Sequence, residues 1–180
     1  MTASDAKRGE KVEFSAVNVF AGDNNANLSF PLPVAADVYA RVRQGLAGPT
    51  ALCGIPVTTA ALLQNMTTYE NFEIAGHKVV ASIVTGMHVE YADGHTEGTG
   101  FEWGILDSGD HYLSEIHETM VDQHTRGTWK LIYGSGVLAG IEGEASYTNN
   151  PKPGLKAVRS HLDGYYVLPP KAHGAGQDIT

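Results

Sequence analysis

Acid/base chemistry on an organic molecule needs a carboxylate and an imidazole close together in a site that water has largely left. Residues 84–133 carry both types at strand spacing. His88, Glu90, Glu97, Glu102, Glu115, His117 and Glu118 lie in three strand-like segments separated by Asp93-Gly94 and Ser108-Gly109, two strong hairpin signals. With each dipeptide as the centre of a two-residue turn, Glu90 faces Glu97, His88 faces Thr99, and Thr99 faces Glu118. On the same layout Phe101 faces Ile116, Trp103 faces Ser114 and Ile105 faces Tyr112. Side chains alternate across a strand, so two faces follow. The first carries Val84, His88, Glu90, Phe101, Trp103, Ile105, Tyr112, Ile116, Glu118 and Met120, joined from the next hairpin by Trp129, Leu131 and Tyr133. The second carries Met87, Val89, Tyr91, Gly98, Gly100, Glu102, Glu115, His117 and Lys130.

Aromatic mass favours the first face as the inner one, because burying each large ring is worth a few kcal/mol. On that assignment His88, Thr99 and Glu118 form one cross-strand row with about 5 Å between neighbours. His88, Glu118 and Tyr133 are then the expected catalytic set, with Phe101, Trp103, Tyr112 and Trp129 as substrate-binding walls. Desolvation should raise the pKa of a carboxylate in such a chamber and suit it to move a proton near neutral pH. A register slip of one residue would bring in a second set, Glu102, Glu115 and His117. The Glu90/Glu97 pair reads as a solvated barrel end.

No metal and no other cofactor is expected. His111, Glu115 and His117 share a strand face, but 111 to 117 spans about 20 Å of extended chain, too far for one ion. The single cysteine, Cys53, excludes an intrachain disulfide and a cysteine-cluster metal site and reads as a buried, inert thiol. No G-x-S-x-G elbow is present, which argues against serine hydrolysis.

The elements that must position these groups are strands. TTYENFEI, KVVASIVTGMHVEY, HTEGTGFEWGIL, HYLSEIHETMV, GTWKLIY, EGEASYT and HLDGYYVL follow one another with turn chemistry between them, and VEFSAVNVF precedes them. Such a meander closes into a barrel to remove its edges. The expectation is an all-β, antiparallel eight-stranded barrel over residues 11–170, between a disordered N-terminus at 1–10 and a loose tail at 171–180. ADVYARVRQGL spaces Val38, Val42 and Leu46 as one short helix. AGPTALCGIPVTTAALL mixes Gly, Pro and β-branched residues and assigns itself to no element.

The formal net charge of −8 and the lack of a basic cluster disfavour nucleic acid and anionic membranes as partners. No segment reaches the ~20 apolar residues of a membrane span, and MTASDAKRGEKVEF lacks a signal-like apolar run, so a cytoplasmic location is expected.

YGSGVLAGIEGEASY satisfies a G-x-G-x-x-A fingerprint through Gly134, Gly136 and Ala139, after a strand. A dinucleotide fold needs a full helix next, and Gly140 and Gly143 interrupt one. The stretch reads instead as a tight turn whose Val137, Leu138 and Ile141 plug a barrel end. In this G-S-G-[apolar]-[apolar]-x-G-x-x-G form, with GDHYLSEIHETM before it and GYYVLP after it, the chain resembles the allene oxide cyclase family and the wider set of barrels that includes dirigent proteins, over roughly residues 105–168. The resemblance implies a lipocalin-like eight-stranded barrel with a hydrophobic cavity, often a homo-oligomer (a dimer or trimer is expected), and no cofactor. It offers Glu13 and Asn18 as counterparts of that family's catalytic acid and nearby asparagine, without a position-by-position match. The combined expectation is cofactor-independent isomerase, cyclase or lyase chemistry on a small hydrophobic, unsaturated or aromatic molecule. The alternative is a non-catalytic binding or dirigent-like guiding barrel.

Overall fold

The computed structural model describes residues 8–21, 28–31, 51–52, 55–122, 124–149 and 157–170. The strands are β1 (Lys11–Ala21), β2 (Leu28–Pro31), β3 (Ala51–Leu52), β4 (Ile55–Tyr69), β5 (Glu73–Ile74), β6 (His77–Tyr91), β7 (Thr96–Leu106), β8 (His111–Val121), β9 (His124–Gly134), β10 (Glu142–Asn149) and β11 (Ala157–Val167). Eight of them close a ring in the order β4-β1-β11-β10-β9-β8-β7-β6, with β6 returning to β4, and every pairing is antiparallel. Closure leaves no free edge in the ring. The undecided segment after Cys53 supplies β4 from Ile55 onward. The helix expected near 37–46, and Cys53 itself, lie outside the described residues. Among the described residues the one helical piece is a 3₁₀ turn at Gly136–Leu138.

Turn chemistry sets the register, and it differs from expectation. Tyr91 N–H bonds the His95 carbonyl and Gly94 N–H bonds that of Tyr91, so the loop is the three residues Ala92, Asp93 and Gly94, with Gly94 at φ +89°. Leu106 and Asp110 close Asp107-Ser108-Gly109 in the same way, with Gly109 at φ +87°. This is a turn followed by a left-handed glycine, which adds one residue to the two-residue hairpin assumed from sequence. Each hairpin therefore slips by one. His88 pairs Gly98, Gly98 pairs Glu118, and Trp103 pairs Leu113. The two slips invert β7 and leave β6 and β8 as expected.

One end of the barrel is solid. Phe14, Tyr69, Phe72, Tyr112, Trp129 and Tyr166 pack there, with the Phe14 and Phe72 rings 4.7 Å apart and the Tyr112 and Trp129 rings edge-to-face at 5.7 Å. Leu138 and Ile141, in the glycine-rich turn, are buried beneath them. Gly9 N–H donates to the Leu168 carbonyl, and the Arg8 guanidinium reaches the carbonyls of Pro169 and Val137 across this end.

Glycines make room for the rings. A Cβ at Gly104 would lie 2.1 Å from the Tyr112 ring, and one at Gly127 would lie 2.2 Å from the Tyr147 ring, each glycine being the direct cross-strand partner of its tyrosine. The inner face of β7 reads Gly98, Gly100, Glu102, Gly104. Apart from Glu102 it carries no side chain, which lets Tyr112, Glu118 and His88 lean over Gly104 and Gly98.

Candidate active site and ligand cavity

The other half of the barrel holds a cavity of about 270 Å³. Its lining includes Asn18, Val84, His88, Glu102, Ile116, Glu118, Trp129, Tyr147, Asn149 and Leu162. One cross-strand row builds its most reactive wall: His88, Gly98, Glu118, Gly127 and Tyr147, on β6 through β10. Alternate members have no side chain, so groups two strands apart can meet. His88 Nε2 lies 2.7 Å from Glu118 Oε1, and Tyr147 Oη donates to Glu118 Oε2 at 2.7 Å. A Cβ at Gly98 would fall within 3 Å of both Glu118 and His88. The wall therefore depends on that glycine.

Burial pushes the Glu118 carboxyl upward, but the hydrogen bonds from His88 and Tyr147, with the charge of His88, outweigh it and hold the pKa below the ordinary glutamate value. This corrects the expectation that desolvation would win at Glu118. Tyr147 is pushed well up, first by burial and then by the charge of Glu118, so it remains a donor.

The floor is Glu102, 2% exposed. Tyr69 Oη and Tyr112 Oη donate to its Oε1 at 2.8 and 3.2 Å, and Trp129 Nε1 donates to Oε2 at 2.8 Å. Burial raises its pKa more than these donors, with Ser82, lower it. Burial and the neighbouring carboxylate likewise hold Tyr69 and Tyr112 well above the ordinary phenol value. A carboxylate has about four lone-pair sites, and protein donors occupy those of Glu102. Glu118, with a side chain 20% exposed, is the carboxylate that a bound molecule would meet.

Of the first expected set, the structure brings His88 and Glu118 together. Tyr133 is 51% exposed, because the β8–β9 ladder breaks register between Leu113 and Ser114 and turns it outward beyond Leu131. Trp129 is buried in the cavity lining as expected, Tyr112 is buried in the packed end rather than in that lining, and Phe101 and Trp103 are 48% and 41% exposed, carried outward by the inverted β7. Trp103 stacks on His111 at 4.3 Å. Thr99 faces out and pairs His117 rather than Glu118. Of the second set only Glu102 is inside. Glu115 and His117 form an outer-face pair at 3.7 Å. Glu13 is solvent-facing beside Lys11, while Asn18 is buried in the cavity lining. Sequence reasoning missed Tyr147 and the hydroxyls of Tyr69, Thr67 and Ser82. The signal was present for Tyr147, since a glycine stands opposite it as one stands opposite Glu118.

Among the described residues, no three His, Cys, Asp or Glu side chains stand close enough to hold a metal ion. No described helix is long and apolar enough to cross a membrane.

A solved pterocarpan synthase dirigent protein superposes on 91% of this chain and 99% of its own with a TM-score of 0.51 at 8% sequence identity. The fold is that of a dirigent-like barrel. No protein-family profile and no curated protein matches the chain by sequence.

Proposed function

We propose that the barrel binds a small, largely apolar organic molecule in its cavity and holds it in one geometry, as a dirigent-like guide. The observation that carries this reading is a cavity with Trp129, Ile116, Val84 and Leu162 as apolar surfaces and Glu118, His88 and Tyr147 as one fixed polar wall. Such sites combine apolar area for affinity with a few placed polar groups for orientation. The likeness to the dirigent structure supports the same reading at the level of fold.

A second reading has its own support. A carboxylate flanked by an imidazole and a phenol can take and return a proton, so cofactor-independent isomerase, cyclase or lyase chemistry follows if the ligand has an acidic C–H or a leaving group over Glu118. One experiment separates the two. With 2-tetralone, an apolar ketone with exchangeable α-protons, binding is followed by calorimetry and proton–deuterium exchange by NMR. A guide binds the ketone in wild type and in Glu118→Gln without accelerating exchange. A proton-transfer enzyme accelerates exchange and loses ~10²–10⁴-fold of that acceleration in Glu118→Gln. Absence of saturable binding would refute both.

A further inference from the structure

From the cavity wall to the floor, side chains on four consecutive strands form a hydrogen-bonded chain in which each bond fixes the direction of the next. As a carboxylate Glu102 only accepts. Among its donors is the Ser82 hydroxyl. A serine whose proton goes to Glu102 must accept from its other neighbour, Thr67, with which it shares a short hydrogen bond. Thr67 must in turn accept, and it does, from Asn18 Nδ2 at 3.0 Å. Tyr69 imposes the same demand by a separate route, giving its proton to Glu102 at 2.8 Å and receiving the Asn18 amide on its oxygen.

Both routes require Asn18 to direct its NH₂ toward β4. Its carbonyl oxygen Oδ1 is then buried with no hydrogen-bond partner among the described residues, on a residue that lines the cavity. Asn149, two strands away in the same row through Ser160, also lines the cavity and also has a buried, unpartnered Oδ1. Most buried acceptors are satisfied in folded proteins, so one left open toward a cavity calls for a donor from what the cavity holds.

We propose that Glu102 is a positioning residue that sets the hydrogen-bond polarity of the cavity through Ser82, Thr67 and Tyr69. Asn18 thereby presents a carbonyl, and the cavity selects ligands that bring an O–H or N–H over otherwise equal ligands that only accept. This rests on the small-molecule reading above and names the ligand class for it. A neutral group at position 102 that can donate removes the constraint, because the relay can then run backwards and the amide can turn its NH₂ inward.

The test compares 2,6-dihydroxynaphthalene with its dimethyl ether by calorimetry on the full chain. Wild type binds the diol tighter by roughly tenfold or more, the size expected for one or two buried hydrogen bonds. Glu102→Gln, and Thr67→Val combined with Tyr69→Phe to cut both routes, each reduce that preference to about threefold or less, a loss of part or all of one such bond, with ether affinity held or raised as the amide turns its NH₂ inward. Thr67→Ser, which restores the hydroxyl, retains the preference. A merely structural role for Glu102 would weaken both ligands together. If Glu102→Gln and the Thr67→Val, Tyr69→Phe pair keep the wild-type preference, or if wild type binds the two probes equally, the relay does not set polarity and the proposal is overturned while cavity binding stands. Failure of both probes to bind overturns the binding reading itself, and this proposal with it.

Discussion

Glu118 and Glu102 shift in opposite senses, because hydrogen bonds from His88 and Tyr147 win at the first and burial wins at the second. Glu118 lies below the ordinary glutamate value in the fold, so its interactions with His88 and Tyr147 stabilise the protein above the unfolded-state pKa. That stability is lost as pH falls through the depressed folded value. Glu102 lies above the ordinary value, so its ionisation opposes folding as pH rises from the unfolded to the folded pKa. Denaturant melts of wild type, Glu118→Gln and Glu102→Gln, across the range around the ordinary glutamate pKa of about 4.3, should therefore diverge. Relative to wild type, Glu118→Gln loses ground as pH rises through that range, and Glu102→Gln gains. Parallel curves for the two variants would contradict the assigned environments. At this scale the sequence was partly legible. The pairing of His88 with Glu118 followed from alternation on β6 and β8, whereas the role of Tyr147 did not, because its contact depends on the empty position Gly127 between two strands.

Hairpin loops decide which face of a strand sees the cavity. Asp-Gly and Ser-Gly were correctly read as turns, but each glycine ends a three-residue loop, and that one residue inverts β7. Aromatic weight then pointed the wrong way, since a narrow barrel needs glycines inside wherever a neighbour's ring must fit. The spacing Gly98, Gly100, Gly104 on one face of β7 was the cue that the ring count overrode. Two classes of glycine substitution should separate. Gly94→Ala and Gly109→Ala add a Cβ that meets nothing within 4 Å, so each costs only the left-handed backbone, about 1–2 kcal/mol. Gly104→Ala and Gly127→Ala press on the rings of Tyr112 and Tyr147 and should cost more, up to about 3 kcal/mol or beyond. Denaturant midpoints at unchanged m-value report both. Equal costs in the two classes would show that the rings do not occupy the glycine positions.

At the scale of the molecule, the described strands form a ring with one short seam. Among the described residues β1 pairs β11 from Lys11 to Ala21 but pairs β4 at Asn18, Val19 and Phe20, with one further backbone bond from Glu70 N–H to the Val17 carbonyl, so closure there is short. The eight-stranded antiparallel barrel was legible because the strand pattern and turn signals from residue 67 onward are regular. The seam was not, since the mixed Gly, Pro and β-branched segment at 47–63 hid the first half of β4, the strand that closes the ring. Native-state hydrogen exchange should find the β1–β4 amides opening well before those of β1–β11, and ligand should protect them, because Asn18 and Phe20 at the seam line the cavity. Uniform protection around the ring would contradict a seam.

Two aromatic surfaces now compete for any flat ligand: the inner one at Trp129 and the outer one where Trp103 and Tyr133 flank His111. Crystals soaked with 2,6-dihydroxynaphthalene decide between them. Density for the rings inside the barrel, against Trp129 and within hydrogen-bond reach of Glu118 or Asn18, is the expected result. An empty cavity, with density confined to the Trp103 and Tyr133 face, would contradict it.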